Sequence, residues 1–306
     1  MADIRDAGEA AIDDATNAVR GLLQRRIRHA MGFKGTPPSI CVDPELSYMA
    51  PDTVTRAIHG DLASMLVGGV ASLLLQMLHP LAMTGVAQHS LYREDPLGRL
   101  ARTAAFVRAT TFGTHDDARA AFDRVRFVHD HVRGVSDDGV RYSAEDPRLV
   151  EWVHVAEVSM FLAASRAYGP RAISSDAADQ YVDEMAKIAI ELGVISPPRS
   201  VAELEVTIEG FQPELRLIDA GREARDFVLR GVSKAPQRRL AHVTLAQGAV
   251  GVLPAWARRD LELDYLPLGQ HLVVRPSAMA LCQALRFAIP PTPYVAIVKP
   301  PSTAIT

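Results

Sequence analysis

A long stretch without charged side chains restricts this chain more than any other feature, because no Asp, Glu, Lys or Arg occurs between Asp61 and Arg93. Such a run predicts either a membrane span or a helix buried on all sides at the centre of a large domain. Glycine, serine and glutamine dilute its first part, and His79-Pro80 interrupts it before a bilayer crossing is complete. We therefore expect a buried core helix and no transmembrane span.

The overall composition narrows the class of protein further. The chain has 306 residues, and 48% of them are apolar, which is enough for a sizeable core. Its 33 Lys and Arg against 36 Asp and Glu give a net charge of -3, so nucleic acid is not an expected partner. Cys41 and Cys282 match neither a zinc site nor a disulfide framework, and the N-terminal region lacks the apolar core of an export signal. These features predict a cytoplasmic protein.

Apolar residues recur at three- and four-residue spacing over most of the chain, which predicts helices nearly throughout. An amphipathic helix is expected over residues 19–31, followed by a proline-containing surface loop over residues 35–51. A helix capped by Asp52 or Thr53 is then predicted to continue through the uncharged run as far as His79-Pro80.

Three later helices carry local start signals. Asp95-Pro96 and Asp146-Pro147 each place an Asp cap before a proline at the first helical position. Thr114 and Asp117 predict a capping box at the start of a helix whose apolar stripe runs to Gly134. Further helices are predicted over residues 175–192, 200–211, 214–230, 237–258 and 276–288.

Strand signals are rare, so the predicted fold class is all-α, with a single large helical domain. One hairpin is expected over residues 135–142, turning at Asp138-Gly139, and the apolar runs around Val273 and Val295 are further strand candidates. We predict three regions. They are an N-terminal helix and surface loop over 1–50, a main helical domain over 51–289 and a proline-rich tail over 290–306.

Among the histidines, His129 has the most informative position. It follows Val125 and precedes Val132 at helical spacing, so its ring is expected on the buried face of its helix. Two interpretations stay open from the residues alone. His129 is either a core histidine bonded to a backbone carbonyl or an axial ligand to a metal or heme iron. His131 falls nearer the polar side of the same helix.

Other polar groups are less specific. His154 follows Glu151 in one Glu-x-x-His pair, whereas a di-iron carboxylate bundle requires two, so we interpret His154 as a structural or supporting histidine. Arg99, Arg102 and Thr103 share a helix face, and that pattern alone is typical of a solvated surface.

His79 and His89 stand at the two ends of the segment that follows the uncharged helix. Together with nearby Gln88 and Ser90 they predict either a polar pocket or an exposed helix end. The sequence contains no phosphate-binding glycine loop, no esterase elbow and no zincin motif, which argues against the commonest nucleotide-binding, esterase and peptidase functions.

Five separated motifs have the order and spacing of a known family. They are LLLQMLHPLAMTGVAQHS (73–90), DPLGRLARTAAFV (95–107), FGTHDDA (112–118), VHDHVRG (128–134) and YSAEDPRLVEWVH (142–154). Over about residues 50–260 the chain resembles the oxygenase family that includes rubber oxygenase (latex-clearing protein) and the MpaB oxygenases. The resemblance implies an all-α fold with a globin-like helical core, a b-type heme and the oxidation of hydrophobic substrates by dioxygen.

The resemblance also implies roles for individual residues. The His of VHDHVRG is His129, which would be the proximal heme ligand, while His154 and His79 are further candidate heme contacts. The Arg-x-x-Lys-Thr element of rubber oxygenases corresponds to Arg99, Arg102 and Thr103, which would act on the oxygen side of the heme. Arginine at the lysine position stays protonated and offers no lone pair, so cleavage of polyisoprene is not expected.

These inferences combine into one functional hypothesis. The chain is predicted to be a cytoplasmic heme b oxygenase, with His129 as the metal ligand, that acts with dioxygen on an isoprenoid or lipid-like small molecule. Peripheral contact with a membrane is compatible with such a substrate. The alternative hypothesis is a heme- or lipid-binding protein without turnover.

Overall fold

The computed structural model describes residues 17–27, 40–231, 233 and 235–292, and over these residues the predicted all-α class is confirmed. The first half contains α1 (17–27), α2 (Val54–His59), α3 (Leu62–Gln76), α4 (Pro80–His89), α5 (Pro96–Phe112), α6 (His115–Asp130), β1 (Arg133–Val135) and β2 (Arg141–Ser143). The second half contains α7 (Pro147–Tyr168), α8 (Ser175–Glu191), α9 (Val201–Phe211), α10 (Asp219–Arg230), α11 (Pro236–Val252), α12 (Ala255–Asp260), α13 (Pro267–Gly269) and α14 (Arg275–Ala288).

Helices α3 and α7 pack against each other at the centre of the fold, so the predicted buried core helix is confirmed. Fully buried side chains of these two helices include Val67, Ala71, Leu74, Val155 and Val158. The indole nitrogen of Trp152 donates to the carbonyl of Gln76 at 3.3 Å, where α3 ends. Gly68 allows the close approach, because a Cβ there would lie 2.9 Å from Cδ1 of Phe161.

The predicted continuous helix through the uncharged run is wrong, because the chain leaves helical geometry between α2 and α3. The carboxylate of Asp61 accepts a hydrogen bond from the amide of Ser64 at 3.1 Å and so starts α3 as a separate helix. The same carboxylate pairs with Arg286 of α14 at 2.6 Å. The cap is a local signal at Asp61 that the predicted continuous helix overlooked, whereas the partner Arg286 is distant in sequence.

The interruption predicted at His79-Pro80 is confirmed, since α3 ends at Gln76 and Pro80 begins α4. The two helices are bent by 105° relative to each other. Among the described residues, no single helix is long and apolar enough to cross a membrane, and α3 and α4 reach such a length only together, as this bent pair.

The local start signals of α5, α6 and α7 are confirmed. Asp95 accepts a hydrogen bond from a first-turn amide of α5 at 2.9 Å, and Asp146 does the same in α7 at 2.9 Å. Thr114 and Asp117 form the reciprocal capping box of α6. Short-range hydrogen bonding decides all three helix starts, which is why the sequence predicts them.

The predicted hairpin is also confirmed. Its register pairs Arg133 with Ser143 and Val135 with Arg141, and Gly139 has a φ of 78° in the turn. Helix α6 therefore ends before the hairpin and does not continue to Gly134, as the apolar stripe had indicated.

Several predicted bounds in the second half are wrong. Helix α10 begins at Asp219, one turn later than predicted, because a proline-containing 3-10 turn precedes it. The helix predicted over 237–258 is two helices, since the chain is extended at Leu253 and Pro254. Val273 lies in a π-helical turn and not in a strand.

The N-terminal segments differ in part from the prediction. Helix α1 forms, but its apolar residues Val19 and Leu22 are exposed. The described part of the predicted surface loop is anchored in the interior, because Met49 is buried and the amide of Cys41 donates to the carbonyl of Phe112 at 2.8 Å. Predictions for residues 28–39, for Val295 and for the rest of the tail after residue 292 lie outside the described residues.

Two adjacent glycines of α3 test the central packing. Gly68→Ala should lower the free energy of unfolding by about 1–3 kcal/mol, because the new methyl group forces Phe161 and Ala164 of α7 away. Gly69→Ala meets nothing within 4 Å and should raise that free energy by about 0.5–1 kcal/mol through better helix propensity. Urea denaturation of both variants measures the difference. Equal effects would show that Gly68 does not set the distance between α3 and α7.

Candidate active site

His129 lies in the last turn of α6. Its side chain is half-buried, so it is more exposed than the predicted position on a buried face implied. It opens into a cleft of about 390 Å³ whose walls include Val125, Glu145, Ile190 and Leu192. Burial lowers the pKa of His129. The charge of Glu145 and a hydrogen bond with the backbone of Ala144 oppose this shift. The ring is therefore mainly neutral near pH 7 and can offer a nitrogen lone pair.

Arg99, Arg102 and Thr103 lie on the outer part of α5, which buries no side chain before Thr110. The guanidinium of Arg102 is exposed and pairs with Asp95 at 3.3 Å. The hydroxyl of Thr103 donates to the carbonyl of Arg99 at 3.2 Å. These three residues do not line the cleft of His129.

His129 and Arg99 nevertheless lie at the same end of one helical hairpin. Helices α5 and α6 are joined at Gly113, and the rings of Phe106 and Phe122 contact each other across the pair with centroids 5.8 Å apart. Arg99 precedes the connection by about four turns and His129 follows it by about four turns. A rearrangement confined to the free end of this hairpin would change the distance between the two side chains.

His154 is buried in the first half of α7. Val150, one turn earlier, packs on Ala189 at the end of α8, and Phe161, two turns later, contacts the ring of His59 with centroids 5.4 Å apart. Burial lowers the pKa of His154 to about 4, and its Nε2 atom has no hydrogen-bond partner. An unpartnered buried imidazole nitrogen is costly, so it is a candidate for contact with a ligand.

His79 lies at the bend between α3 and α4, apart from the cleft of His129. Its ring lies against Trp152 and Phe211, with centroid distances of 6.2 and 6.3 Å, and neither ring nitrogen has a hydrogen-bond partner. The nearest carboxylate is that of Glu214, at 3.7 Å. Burial lowers the pKa of His79, so its ring is neutral.

The other end of α4 is different. His89 is exposed, and its Nε2 lies 3.1 Å from the hydroxyl of Tyr142 in the hairpin. The two alternatives for this segment are therefore both present, since the His79 end is a buried polar site and the His89 end is an exposed helix end.

The sequence did not reveal a buried polar cluster between α2, α5, α7 and α8. Nδ1 of His59 lies 2.8 Å from the hydroxyl of Thr111, and Nε2 lies 3.1 Å from the hydroxyl of Tyr181. The charge of Glu157 acts on Tyr181, and burial raises the pKa of Glu157 to about 7. Of these residues, only Glu157 could have been recognised from the sequence, because it is an acidic residue on the apolar helix face that contains His154.

These histidines do not converge on a single metal site. Among the described residues, no group of three or more His, Cys, Asp or Glu side chains is arranged to hold a metal ion. A heme iron requires less of the protein, because the macrocycle supplies most ligands and one imidazole suffices. The donor chemistry of His129 and the unpartnered nitrogen of His154 fit that requirement.

Comparison with known proteins covers most of the helical domain. The family model described as "ER-bound oxygenase mpaB/B'/Rubber oxygenase, catalytic domain" matches residues 56–287. No curated protein and no solved structure gives a significant match to the chain. The matched range begins in α2, ends in α14 and includes every site residue predicted from the sequence.

The raised pKa of Glu157, whose side chain is half-buried in α7, predicts a pH dependence of stability. With its pKa raised from 4.5 to about 7, the folded protein holds a proton that the unfolded chain has released, so this residue's contribution to stability is lost as the pH rises over that range. The free energy of unfolding of Glu157→Gln, relative to that of wild type, should therefore rise by about 1–3 kcal/mol as the pH increases from about 5 to about 7.5.

Urea denaturation at a series of pH values measures this gain. Glu205→Gln, which removes an exposed glutamate of α9, is the control for the loss of one negative charge. A constant difference between Glu157→Gln and wild type across the pH range would contradict the prediction.

Proposed function

This chain belongs to the ER-bound oxygenase mpaB/B'/rubber oxygenase family, and we propose that it is a heme b-dependent oxygenase acting with dioxygen on a hydrophobic small molecule. The observation that carries the cofactor proposal is the chemistry of His129. Its pKa is lowered by burial, and a backbone hydrogen bond at Ala144 engages the ring. An imidazole oriented through one nitrogen would leave the other available to hold a heme iron.

Bound heme would supply the iron that activates dioxygen, and the protein would supply orientation and electrostatics. His129 would hold the cofactor from the end of α6. His154 would support the site from α7, where its unpartnered nitrogen is buried, and His79 remains a more distant candidate contact. These assignments are part of the proposal.

Arg99, Arg102 and Thr103 would act as hydrogen-bond donors on α5. Arg102 is free to do so at small cost, because an exposed ion pair such as the one with Asp95 contributes only about 0–1 kcal/mol. Arg99 is already oriented by its hydrogen bond to the hydroxyl of Ser90. The side chains of α5 before Thr110 are exposed or half-buried, and Phe106 among them packs on the buried ring of Phe122.

The proposed substrate is hydrophobic because apolar side chains line part of the cleft of His129 and pack beside it. Val150, Ala189 and Val194 form a small hydrophobic cluster at the end of α8, close to the cleft of His129. We propose a small isoprenoid or lipid-like molecule as substrate and a cytoplasmic location for the reaction.

Heme reconstitution of three proteins tests the proposal. Wild type should bind heme b non-covalently and show a Soret band, and His129→Ala should lose most of the heme or change the ferric spectrum. His131→Ala is the matched control, because His131 is exposed and its Nδ1 lies 2.7 Å from the carbonyl of Phe127.

Two results would contradict different parts of the proposal. A wild-type protein without Soret absorption after reconstitution would overturn the heme assignment. Full heme occupancy in His129→Ala, together with loss in His154→Ala or His79→Ala, would leave the oxygenase proposal in place but move the axial ligand away from α6.

A further inference from the structure

Four large apolar side chains are exposed together on a short segment between α12 and α14. Leu266, Leu268, Leu272 and Val273 have exposed fractions between 62% and 77%. Leu266 directly precedes the helical turn α13, Leu268 lies in it, and Leu272 and Val273 lie in the π-helical turn that follows, so the backbone presents them in an ordered arrangement. We call these four residues the leucine tip. Clustered exposed leucines are unusual on a soluble protein and mark an interaction site.

The leucine tip is fixed to the body of the protein by a buried glutamine. Gln270 lies between the exposed side chains, is itself buried, and donates from Nε2 to the carbonyl of Gln247 in α11 at 3.3 Å. Gly251 makes room for it, because a Cβ there would lie 1.9 Å from the same Nε2 atom. The apolar side chains therefore project from an anchored turn.

The leucine tip is flanked by exposed charges of opposite sign, Asp264 before it and Arg275 after it, and the side that leads into α14 is basic. No Asp or Glu occurs in the sequence after Asp264. Arg275 follows the tip directly and is exposed, and the guanidinium of Arg258 lies 3.9 Å from the ring centroid of Tyr265 just before it. Nothing after Asp264 would repel a negatively charged surface, and Arg275 would attract one.

We propose that the leucine tip binds the surface of a lipid bilayer that contains anionic lipids. Exposed apolar side chains beside basic residues are the combination that inserts at the boundary between headgroups and acyl chains. A second copy of the chain fits less well, because a stable protein interface uses about 20–30 residues on each side and the tip is one short segment. This inference goes beyond the proposed oxygenase activity and does not depend on heme.

Vesicle cosedimentation of the full chain tests the proposal. Wild type should bind vesicles of phosphatidylcholine mixed with phosphatidylserine more strongly than vesicles of phosphatidylcholine alone. The triple variant L266S/L268S/L272S should lower the partition coefficient about tenfold or more, because it removes most of the apolar surface that inserts. Arg275→Gln should lower binding to the anionic vesicles about fivefold and leave binding to the neutral ones unchanged.

A double substitution elsewhere is the matched control. Ile195→Ser with Val206→Ser removes exposed apolar side chains near α9, and it should bind vesicles like wild type. Circular dichroism checks that each variant keeps its helix content, and Leu268→Ser alone is the fallback if the triple variant unfolds.

Three outcomes would overturn the proposal. The first is a wild type that binds neither kind of vesicle. The second is a folded triple variant that binds as strongly as wild type. The third is self-association in analytical ultracentrifugation that the triple variant abolishes while vesicle binding is absent, which would assign the leucine tip to a second copy of the chain.

Discussion

The burial of the uncharged helix α3 against α7 is the constraint on which the rest of the structure depends. A helix with no charged side chain needs extensive cover, and α7, α11 and α14 supply most of it, while the position of Gly69 stays open. Because Gly68 has no side chain, α3 and α7 approach so closely that Phe161 and Ala164 fill the space that a Cβ of residue 68 would need. Because α7 also carries His154, this central packing fixes the position of one candidate ligand relative to the core.

A buried ion pair sets where the uncharged helix begins. Asp61 is 1% exposed, caps α3 and pairs with Arg286, which also donates to the carbonyl of Tyr168 at the end of α7. Removal of either partner would leave an uncompensated buried charge, which typically costs about 3–5 kcal/mol. The pair therefore joins the starting turn of α3 and the ends of α7 and α14.

The sequence predicts features that short-range chemistry decides, and it does not predict those that depend on distant partners. The caps at Asp95 and Asp146 and the hairpin turn at Gly139 are local, and all three are confirmed. The ion pair of Asp61 depends on Arg286, and the contacts of His59 depend on Thr111 and Tyr181. No periodicity in the sequence connects these residues, so only the tertiary structure reveals them.

The same distinction applies to the candidate site. Five separated motifs carried enough information to predict the oxygenase family, and the family match confirms it. The relative positions of His129 and Arg102 were not predictable, because the cleft at the end of α6 and the exposed outer part of α5 are products of packing. The proposed cooperation of these two residues would require the ends of α5 and α6 that carry them to come together around a cofactor.

Carbon monoxide binding by the reduced, heme-loaded protein tests most directly whether this chain holds an iron that is open to dioxygen. An oxygenase needs one free coordination position, so carbon monoxide should bind stoichiometrically and shift the Soret band in a single step. A reduced heme protein that does not take up carbon monoxide, with both axial positions held by histidine, would contradict the proposed activity and indicate a heme carrier.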